Sequence, residues 1–269
     1  MNSKTKGLIN FLLPAAIILI ALLVNKWLGI AALLVYIVIL MYMLRPSVLA
    51  LIGTRKYAQG STEEAMLLFG RAYATGRASV RTSVSYAYLL LKNKDLQKSE
   101  EILQKLINAN QNSPMLPYIK SIMALVLWKK GNLNEAASMQ EEVIQTYKTT
   151  SVYGSLGYLL ILQGDLEKAL KFNLEAYEYN SSDNIINDNL GQNYLLLGMY
   201  DKAAEIYKPL LEKAPTFPEP YYNYGLVLDK LGDREKALET MKKALDCKFS
   251  YLSTITKDDV EAKLSELSD

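Results

Sequence analysis

The stretch GMYDKAAEIYKPLLEKAP, residues 198–215, decides the fold because similar stretches lie 34 residues away on both sides. The preceding stretch is GDLEKALKFNLEAYEYNS, residues 164–181, and the following one is GDREKALETMKKALDCKF, residues 232–249. Each begins with glycine and has alanine five residues later. A constant interval of this length indicates stacked structural repeats, each of them one supersecondary unit.

The repeat divides residues 46–251 into six units, which cover residues 46–79, 80–116, 117–149, 150–183, 184–217 and 218–251. Position 8 of each unit is glycine or alanine: Gly53, Ala87, Ala124, Gly157, Gly191 and Gly225. Position 20 is alanine or serine: Ala65, Ser99, Ala136, Ala169, Ala203 and Ala237. Position 15 is glycine in every unit but the second: Gly60, Lys94, Gly131, Gly164, Gly198 and Gly232. Small residues let two helices approach closely, and glycine can adopt the left-handed conformation that ends a helix. Each unit is therefore predicted to be two antiparallel helices that bury their apolar faces by stacking on neighbouring units.

The stretch NLGQNYLLLGMYDKAAEIYKPLLEKAP, residues 189–215, resembles the tetratricopeptide repeat (TPR) family. The residues that carry the resemblance are Leu190, Gly191, Tyr194, Gly198, Tyr200, Ala203, Tyr207 and Pro215. Residues 223–245 resemble the family in the same way, whereas Lys56 and Lys94 depart from its pattern in the first two units. Those units are either true repeats with altered faces, which we favour, or plain helical pairs. The resemblance implies an all-α TPR superhelix, an α-solenoid of about six helix pairs. Residues 252–269 are expected to form a C-terminal capping helix, with Val260, Leu264 and Leu267 against the last repeat.

The resemblance also implies a function, because TPR arrays hold a protein or peptide along a concave surface. Positions 2, 5, 9, 12 and 13 of the first helices line that surface in the family. Here the predicted groove residues are Arg81, Tyr88, Tyr118, Ser121, Leu125, Trp128, Tyr158, Ile161, Asp188, Gln192, Leu195, Tyr222 and Lys230. Tyrosine and tryptophan are favoured in binding surfaces, although any one of them can instead pack between neighbouring helices. The Lys and Asn pattern with which one TPR subtype grips a C-terminal carboxylate is absent, so a receptor for chaperone tails is not expected.

Two uncharged apolar segments, residues 7–24 and 28–44, precede the repeats. A helix of either length spans roughly 26 Å, close to a hydrocarbon core about 30 Å thick. We therefore predict a transmembrane helical hairpin over residues 1–45, with Trp27 at one interface and Tyr42 near the other. The competing interpretation is a cleaved signal peptide over residues 1–24, but no small-residue cleavage site precedes Asn25 and a second apolar segment follows at once.

Charge is nearly balanced over the chain, with 30 basic and 28 acidic side chains, yet it is uneven along it. Residues 1–45 carry four basic side chains and no acid, residues 46–116 carry nine basic and five acidic ones, and residues 117–269 carry 17 and 23. A basic zone beside an apolar segment suits anionic lipid, and the acidic distal repeats disfavour nucleic acid. Because basic residues flank the predicted hairpin at both ends and its turn offers only Lys26, both termini and the repeats are expected in the cytoplasm.

The residues that usually carry catalysis are scarce. The chain has no histidine, which removes the commonest general base and metal ligand, and Cys247 is its only cysteine. No glycine-rich phosphate loop or metal-ligand spacing is present, so we expect no enzyme, cofactor, metal or small-molecule substrate. The sequence predicts a scaffold or adaptor in the cell membrane that binds proteins or peptides and contacts the bilayer through residues 7–44. The alternative is an assembly factor for an integral membrane complex, with the hairpin making the main contact.

Overall fold

The computed structural model describes residues 3–268, with side chains from Leu12 onward. Throughout this part of the chain the secondary structure is helical, which confirms the all-α class. The chain divides into two compact units between Ser83 and Val84, inside the fourth helix. The first unit contains α1 (Ser3–Val24), α2 (Lys26–Ala58), α3 (Thr62–Ala74) and the start of α4 (Val80–Lys92).

The second unit continues the succession of short helices. Its helices after α4 are α5 (Leu96–Ala109), α6 (Leu116–Lys129), α7 (Leu133–Ile144), α8 (Thr150–Leu162), α9 (Leu166–Tyr179), α10 (Asn184–Leu196), α11 (Tyr200–Glu212), α12 (Glu219–Lys230), α13 (Arg234–Leu245) and α14 (Lys257–Ser268). From α5 onward each helix packs on the next, and α8 also packs on α6 and α10, as α10 does on α12. The even-numbered helices α4 to α12 are the first helices of their repeats, so the first helices α6, α8, α10 and α12 contact one another in succession.

The turn between α1 and α2 is a single residue, Asn25. Its side-chain oxygen accepts hydrogen bonds from the backbone N–H groups of Trp27 at 2.8 Å and Leu28 at 3.4 Å, so Asn25 is the N-cap of α2. Gly29 is buried against Leu22, and a Cβ at Gly29 would overlap that side chain. The two apolar segments are therefore folded back on each other at a tight turn.

Helix α2 is continuous for 33 residues, through Pro46, and is about 50 Å long. The predicted boundary between residues 45 and 46 therefore lies inside one helix, which holds both the second apolar segment and the first helix of the first repeat. By length and composition α2 is one helix that could cross a membrane, with a mean hydropathy of 2.5 in its most apolar window. In α1, the described stretch Leu12–Val24 is also apolar and helical, but it is shorter than a candidate membrane span.

The predicted small-residue positions lie where helices pack closely. Every position-20 side chain is fully buried: Ala65, Ser99, Ala136, Ala169, Ala203 and Ala237. All six position-15 residues have a positive φ: Gly60 (82°), Lys94 (67°), Gly131 (91°), Gly164 (89°), Gly198 (73°) and Gly232 (86°). At position 8, a Cβ on Gly191 would lie 2.6 Å from the Tyr207 ring, and one on Gly53 would lie 3.1 Å from Phe69. At these positions a small residue is required because two helices of one repeat approach each other closely.

Two central repeats place an amide where their neighbours place a large apolar side chain. Gln140 and Asn173 are each only 1% exposed. Gln140 Nε2 donates to Ser155 Oγ at 2.8 Å, and Asn173 Nδ2 donates to Asn193 Oδ1 at 3.0 Å. Because these hydrogen bonds join successive repeats, the amides fix how the repeats stack in addition to filling space.

The C-terminal helix begins five residues later than the sequence predicts. Helix α14 starts at Lys257, and Val260 and Leu267 are buried while Leu264 is half-buried. The Arg234 Nε–H group of α13 donates to the backbone carbonyl of Leu267, which anchors the end of α14. Residues 246–256, here called the connecting segment, link α13 to α14 without forming a helix.

Candidate peptide-binding surface

The predicted groove residues differ in exposure. The half-buried ones are Tyr88, Tyr118, Leu125, Trp128, Tyr158, Gln192, Leu195 and Tyr222, and the exposed ones are Arg81 and Lys230. Ser121, Ile161 and Asp188 are buried, with 5–6% of each exposed. The half-buried residues of the second unit belong to first helices, so a partner could reach them there. The three buried residues instead belong to the packing between helices.

An aromatic pair joins two consecutive first helices. The rings of Trp128 on α6 and Tyr158 on α8 are 5.4 Å apart between centroids and inclined by 69°, an edge-to-face arrangement. Burial raises the pKa of the Tyr158 hydroxyl, and the Thr254 side chain opposes that rise by hydrogen bonding. The hydroxyl of Tyr158 therefore lies beside Thr254 of the connecting segment.

Lys129 follows Trp128 and adds a positive charge. Its ammonium lies 4.0 Å from the Trp128 ring centroid and 5.2 Å from that of Tyr251. Burial lowers the pKa of Lys129, and the carboxylate of Glu219 opposes this change. The ammonium is thus held between two aromatic rings, where a cation is attracted to the negative ring faces.

Glu219, the first residue of α12, is only 5% exposed. Its Oε1 accepts from the backbone N–H of Thr254 at 2.7 Å, whereas its Oε2 has no hydrogen-bond partner among the described residues. Burial raises the pKa of this carboxyl group, and the hydrogen bond from Thr254 and the charge of Lys129 oppose the rise. A buried carboxylate with a spare oxygen can accept a further main-chain or side-chain donor.

The connecting segment lies across this surface. The Tyr251 ring is 5.8 Å from the ammonium of Lys94, in the turn after α4, and the Ser253 carbonyl accepts from Lys129 Nζ at 3.4 Å. Together with the contacts of Thr254 to Tyr158 and Glu219, these interactions reach the second, third, fourth and sixth repeats. The surface therefore holds a non-helical stretch of polypeptide.

Asp188 lies beneath the surface, on α10. Its Oδ1 accepts from the Tyr207 hydroxyl and from Asn223 Nδ2, both at 3.2 Å. Burial and then the nearby Glu219 raise the pKa of Asp188 to about 7, and the two hydrogen bonds oppose this shift. Asp188 therefore links α10, α11 and α12 through buried hydrogen bonds.

Sequence reasoning missed Lys129 and Glu219, although both have a detectable signal. Lys129 is at position 13 of its repeat and Glu219 at position 2, and both positions line the groove in the TPR family. The connecting segment has no such signal, because residues 246–251 lie outside the groove positions of the last repeat and residues 252–256 follow it. Among the described residues, no three His, Cys, Asp or Glu side chains come together in a way that could hold a metal ion.

Stacked helix pairs with a surface along their first helices define the class of helical-repeat proteins. Sequence profiles of the tetratricopeptide repeat match residues 56–126, 121–151, 188–216 and 218–249. The chain therefore contains tetratricopeptide repeats, as the resemblance of residues 189–215 predicts.

Curated relatives share part of this array. A TPR repeat-containing protein of Methanocaldococcus jannaschii is 27% identical over 122 residues, which is 45% of this chain and 22% of that protein. Hsp70-Hsp90 organizing protein 1 of Glycine max is 28% identical over 173 residues, which is 63% of this chain and 28% of that protein. The aligned regions are thus roughly a quarter of the length of these relatives.

Solved structures show the same architecture. A tetratricopeptide repeat protein from Parabacteroides merdae aligns with a TM-score of 0.65 over 84% of this chain and 85% of its own, at 15% identity. At this identity the similarity shows the fold.

Proposed function

We propose that this protein is a membrane-tethered scaffold that binds an extended peptide segment of a partner protein on the first helices of its second unit. TPR proteins act as protein-interaction scaffolds and adaptors, and Hsp70-Hsp90 organizing protein 1 is named for such a role. The observation that carries the proposal is the contact of Lys129, Tyr158 and Glu219 with the connecting segment, while Trp128 packs against Tyr158 and Lys129. A surface that holds one stretch of polypeptide through aromatic rings and paired charges has the chemistry to hold another.

The tether in this proposal is the apolar pair α1 and α2. Many of their large apolar side chains are exposed, including Leu23 (80%), Trp27 (69%) and Val38 (64%). Soluble proteins rarely expose a continuous apolar surface of this kind, and a lipid bilayer is the partner that such a surface fits. The proposal assigns the protein no catalysis; its work is to hold a partner at the membrane.

The experiment is crosslinking of the full-length chain in its native membrane, followed by identification of the captured proteins. We expect the Trp128→Ala/Tyr158→Ala variant to lose at least tenfold in capture of the main partner. The reason is that buried aromatic anchors often contribute about 2 kcal/mol or more each to binding. Tyr179→Ala, an exposed tyrosine on the second helix α9, is the matched control and should leave capture unchanged.

Thermal melting of each variant separates loss of binding from loss of fold. If the double variant is folded and still captures the same partner, the first-helix surface is not the binding site. That result would favour the alternative function, an assembly factor that contacts an integral membrane partner through α1 and α2.

A further inference from the structure

The connecting segment makes its contacts in the manner of a bound peptide. The Ser253 carbonyl accepts from Lys129, and the Thr254 N–H group of the same peptide bond donates to Glu219. The Tyr251 ring contacts the ammonium groups of Lys94 and Lys129. Main-chain groups are common to all peptides, so a peptide from another chain could replace the segment at the same lysine and glutamate.

The chemistry of the segment defines what the surface accepts. Residues 249–256 read FSYLSTIT and carry no charge. Its main-chain contacts use one donor, the Thr254 N–H group, and one acceptor, the Ser253 carbonyl. Its aromatic ring at Tyr251 lies near the ammonium groups of Lys94 and Lys129. A charged side chain beside Thr254 would meet the half-buried Lys129 or the buried Glu219, one of which would repel it. The surface is therefore suited to an uncharged, hydroxyl-rich peptide with an aromatic residue at the position of Tyr251.

On the basis of the function proposed above, we propose that the connecting segment is an intramolecular ligand that closes the binding surface. The partner binds by replacing the segment with an uncharged, non-helical peptide. In that peptide one residue donates its N–H group to Glu219, as Thr254 does, and an aromatic residue lies three positions before it, as Tyr251 does. The segment and the partner peptide thus compete for Lys129, Tyr158 and Glu219.

The segment can leave without unfolding its neighbours, because both of its ends are fixed independently. At its start, the Lys248 N–H donates to the Thr216 carbonyl at 3.2 Å, away from the aromatic pair. At its end, α14 is held on the last repeat by Val260, Leu267 and the bond from Arg234. Between these anchors, residues 251–255 are only half-buried, and a turn closed by the Ser253 N–H and the Ser250 carbonyl shapes the loop.

Tethering gives the segment an advantage over a free peptide. A short flexible linker confers an effective concentration in the millimolar range, so a competing peptide must bind tightly or be abundant. The apparent dissociation constant of the partner peptide equals its intrinsic value divided by the fraction of chains that are open. Mutations that open the segment should therefore tighten binding of a peptide added in solution.

The test uses the full chain in detergent micelles and a fluorescein-labelled synthetic peptide, FSYLSTIT, with the sequence of residues 249–256. Thr254→Pro combined with Tyr251→Ser removes both the N–H donated to Glu219 and the ring held by Lys94 and Lys129. We expect fluorescence anisotropy to show at least tenfold tighter binding to this opened chain than to the wild type. Thr254→Ser keeps the N–H group and the hydroxyl group and is the matched control, with an affinity within threefold of the wild type.

Each other outcome overturns the proposal. Equal affinity for the wild type and the opened chain means that the segment does not close the surface. Binding to neither chain means that the segment is not a ligand, and binding to the opened chain that survives Lys129→Ala means that the peptide binds elsewhere. If the proline variant melts early, Tyr251→Ser alone replaces it, because a half-buried ring can be truncated without loss of a buried core contact.

Failure of the scaffold function gives a different result. In that case the crosslinked partner is retained by the Trp128→Ala/Tyr158→Ala chain in native membranes, whatever the synthetic peptide does. The peptide-binding measurement in solution tests whether the connecting segment closes the surface. Crosslinking in the membrane tests whether another protein binds to that surface.

Discussion

At the residue scale, Asp188 makes the stability of the fold depend on pH. Its carboxyl group is surrounded by Tyr207 on α11 and by Asn223 and Glu219 on α12, and its pKa rises from 3.8 to about 7 in the folded chain. Between about pH 4 and pH 7 the folded chain keeps a proton on Asp188 that the unfolded chain has released. The free energy of unfolding should therefore fall as the pH rises through this window. The raised pKa of Glu219 acts in the same direction.

We predict that Asp188→Asn removes part of this pH dependence. The asparagine oxygen can still accept from Tyr207 and Asn223, but it has no proton to lose. Since one pKa unit corresponds to about 1.4 kcal/mol, the wild type should lose on the order of 1–3 kcal/mol more than the variant between pH 5 and pH 8. Thermal melts of both chains at the two pH values measure this difference. Parallel losses in the two chains would show that Asp188 does not titrate in this range.

Lys94 is the one position-15 residue that is not glycine, yet it has the left-handed φ of 67° that glycine has in the other repeats. A residue with a Cβ is strained in that conformation by roughly 1–2 kcal/mol. Replacing it with glycine removes this strain, but glycine loses more backbone entropy on folding, which cancels part of the gain. We predict that Lys94→Gly stabilises the chain by up to about 1 kcal/mol. Lys92→Gly, at the end of α4, should destabilise it, because glycine is about 1 kcal/mol less favourable than alanine within a helix. The melting temperatures of the two variants should move in opposite directions, and a lower value for Lys94→Gly would contradict this account.

Single residues also define the limit of sequence reasoning. The small residues at positions 8 and 20 follow from the repeat period, because only a small side chain fits where two helices nearly touch. Lys129 and Glu219 occupy groove positions of that same period. Their contacts with the connecting segment could not be predicted, because Lys129 and Ser253 are more than 100 positions apart in the sequence. Gln140 and Asn173 could not be assigned from the period, since a buried amide is stabilised only once its partners in the next repeat are known.

At the element scale, α10 and α11 pack closely at Gly191. A Cβ there would lie 2.6 Å from the Tyr207 ring, which is fully buried and hydrogen-bonded to Asp188 and therefore cannot move aside. We predict that Gly191→Ala costs about 1–3 kcal/mol and that Gly191→Arg prevents stable folding of this repeat. The alanine variant should melt roughly 3–10 °C lower.

Gln192→Arg provides the matched control for that prediction. Gln192 is the next residue of α10 but is only half-buried, so the same charged side chain can extend into solvent. Its melting temperature should change by less than that of Gly191→Ala. If the two arginine variants melt alike, Gly191 does not mark the helix contact.

The elements themselves could be predicted where their pattern is periodic. The six helix pairs repeat at a nearly constant interval, so their number and order follow from residues 46–251. The connecting segment and the continuity of α2 do not repeat. Pro46 suggests a break after residue 45, yet its missing N–H and its ring are tolerated in α2, which runs from Lys26 to Ala58. The position of residues 246–256 results from contacts with distant repeats, which no local pattern records.

At the scale of the whole molecule, the distribution of charge predicts how the chain is oriented in a membrane. The basic side chains of residues 1–45 flank the apolar segments on both outer ends, and only Lys26 lies at the turn. Arg55 and Lys56 extend α2 beyond its apolar part, and Lys56 pairs with Glu64 of α3 at 2.7 Å. In the positive-inside rule, such an excess of basic residues marks the cytoplasmic side.

We therefore predict that both ends of the chain and the repeats face the cytoplasm, with the turn at Asn25 on the opposite side. Topology reporters placed after residue 2, at residue 26 and after residue 269 should give cytoplasmic, external and cytoplasmic signals. A single span would place the two ends on opposite sides, and a hairpin that rests on the surface would place all three sites in the cytoplasm.

Replacing Lys26 with glutamine is the charge control. It should leave the orientation unchanged, because the basic residues at the outer ends already outnumber it. An inverted orientation in that variant would mean that charge does not determine the topology, and the repeats would then have to meet their partner on the external face.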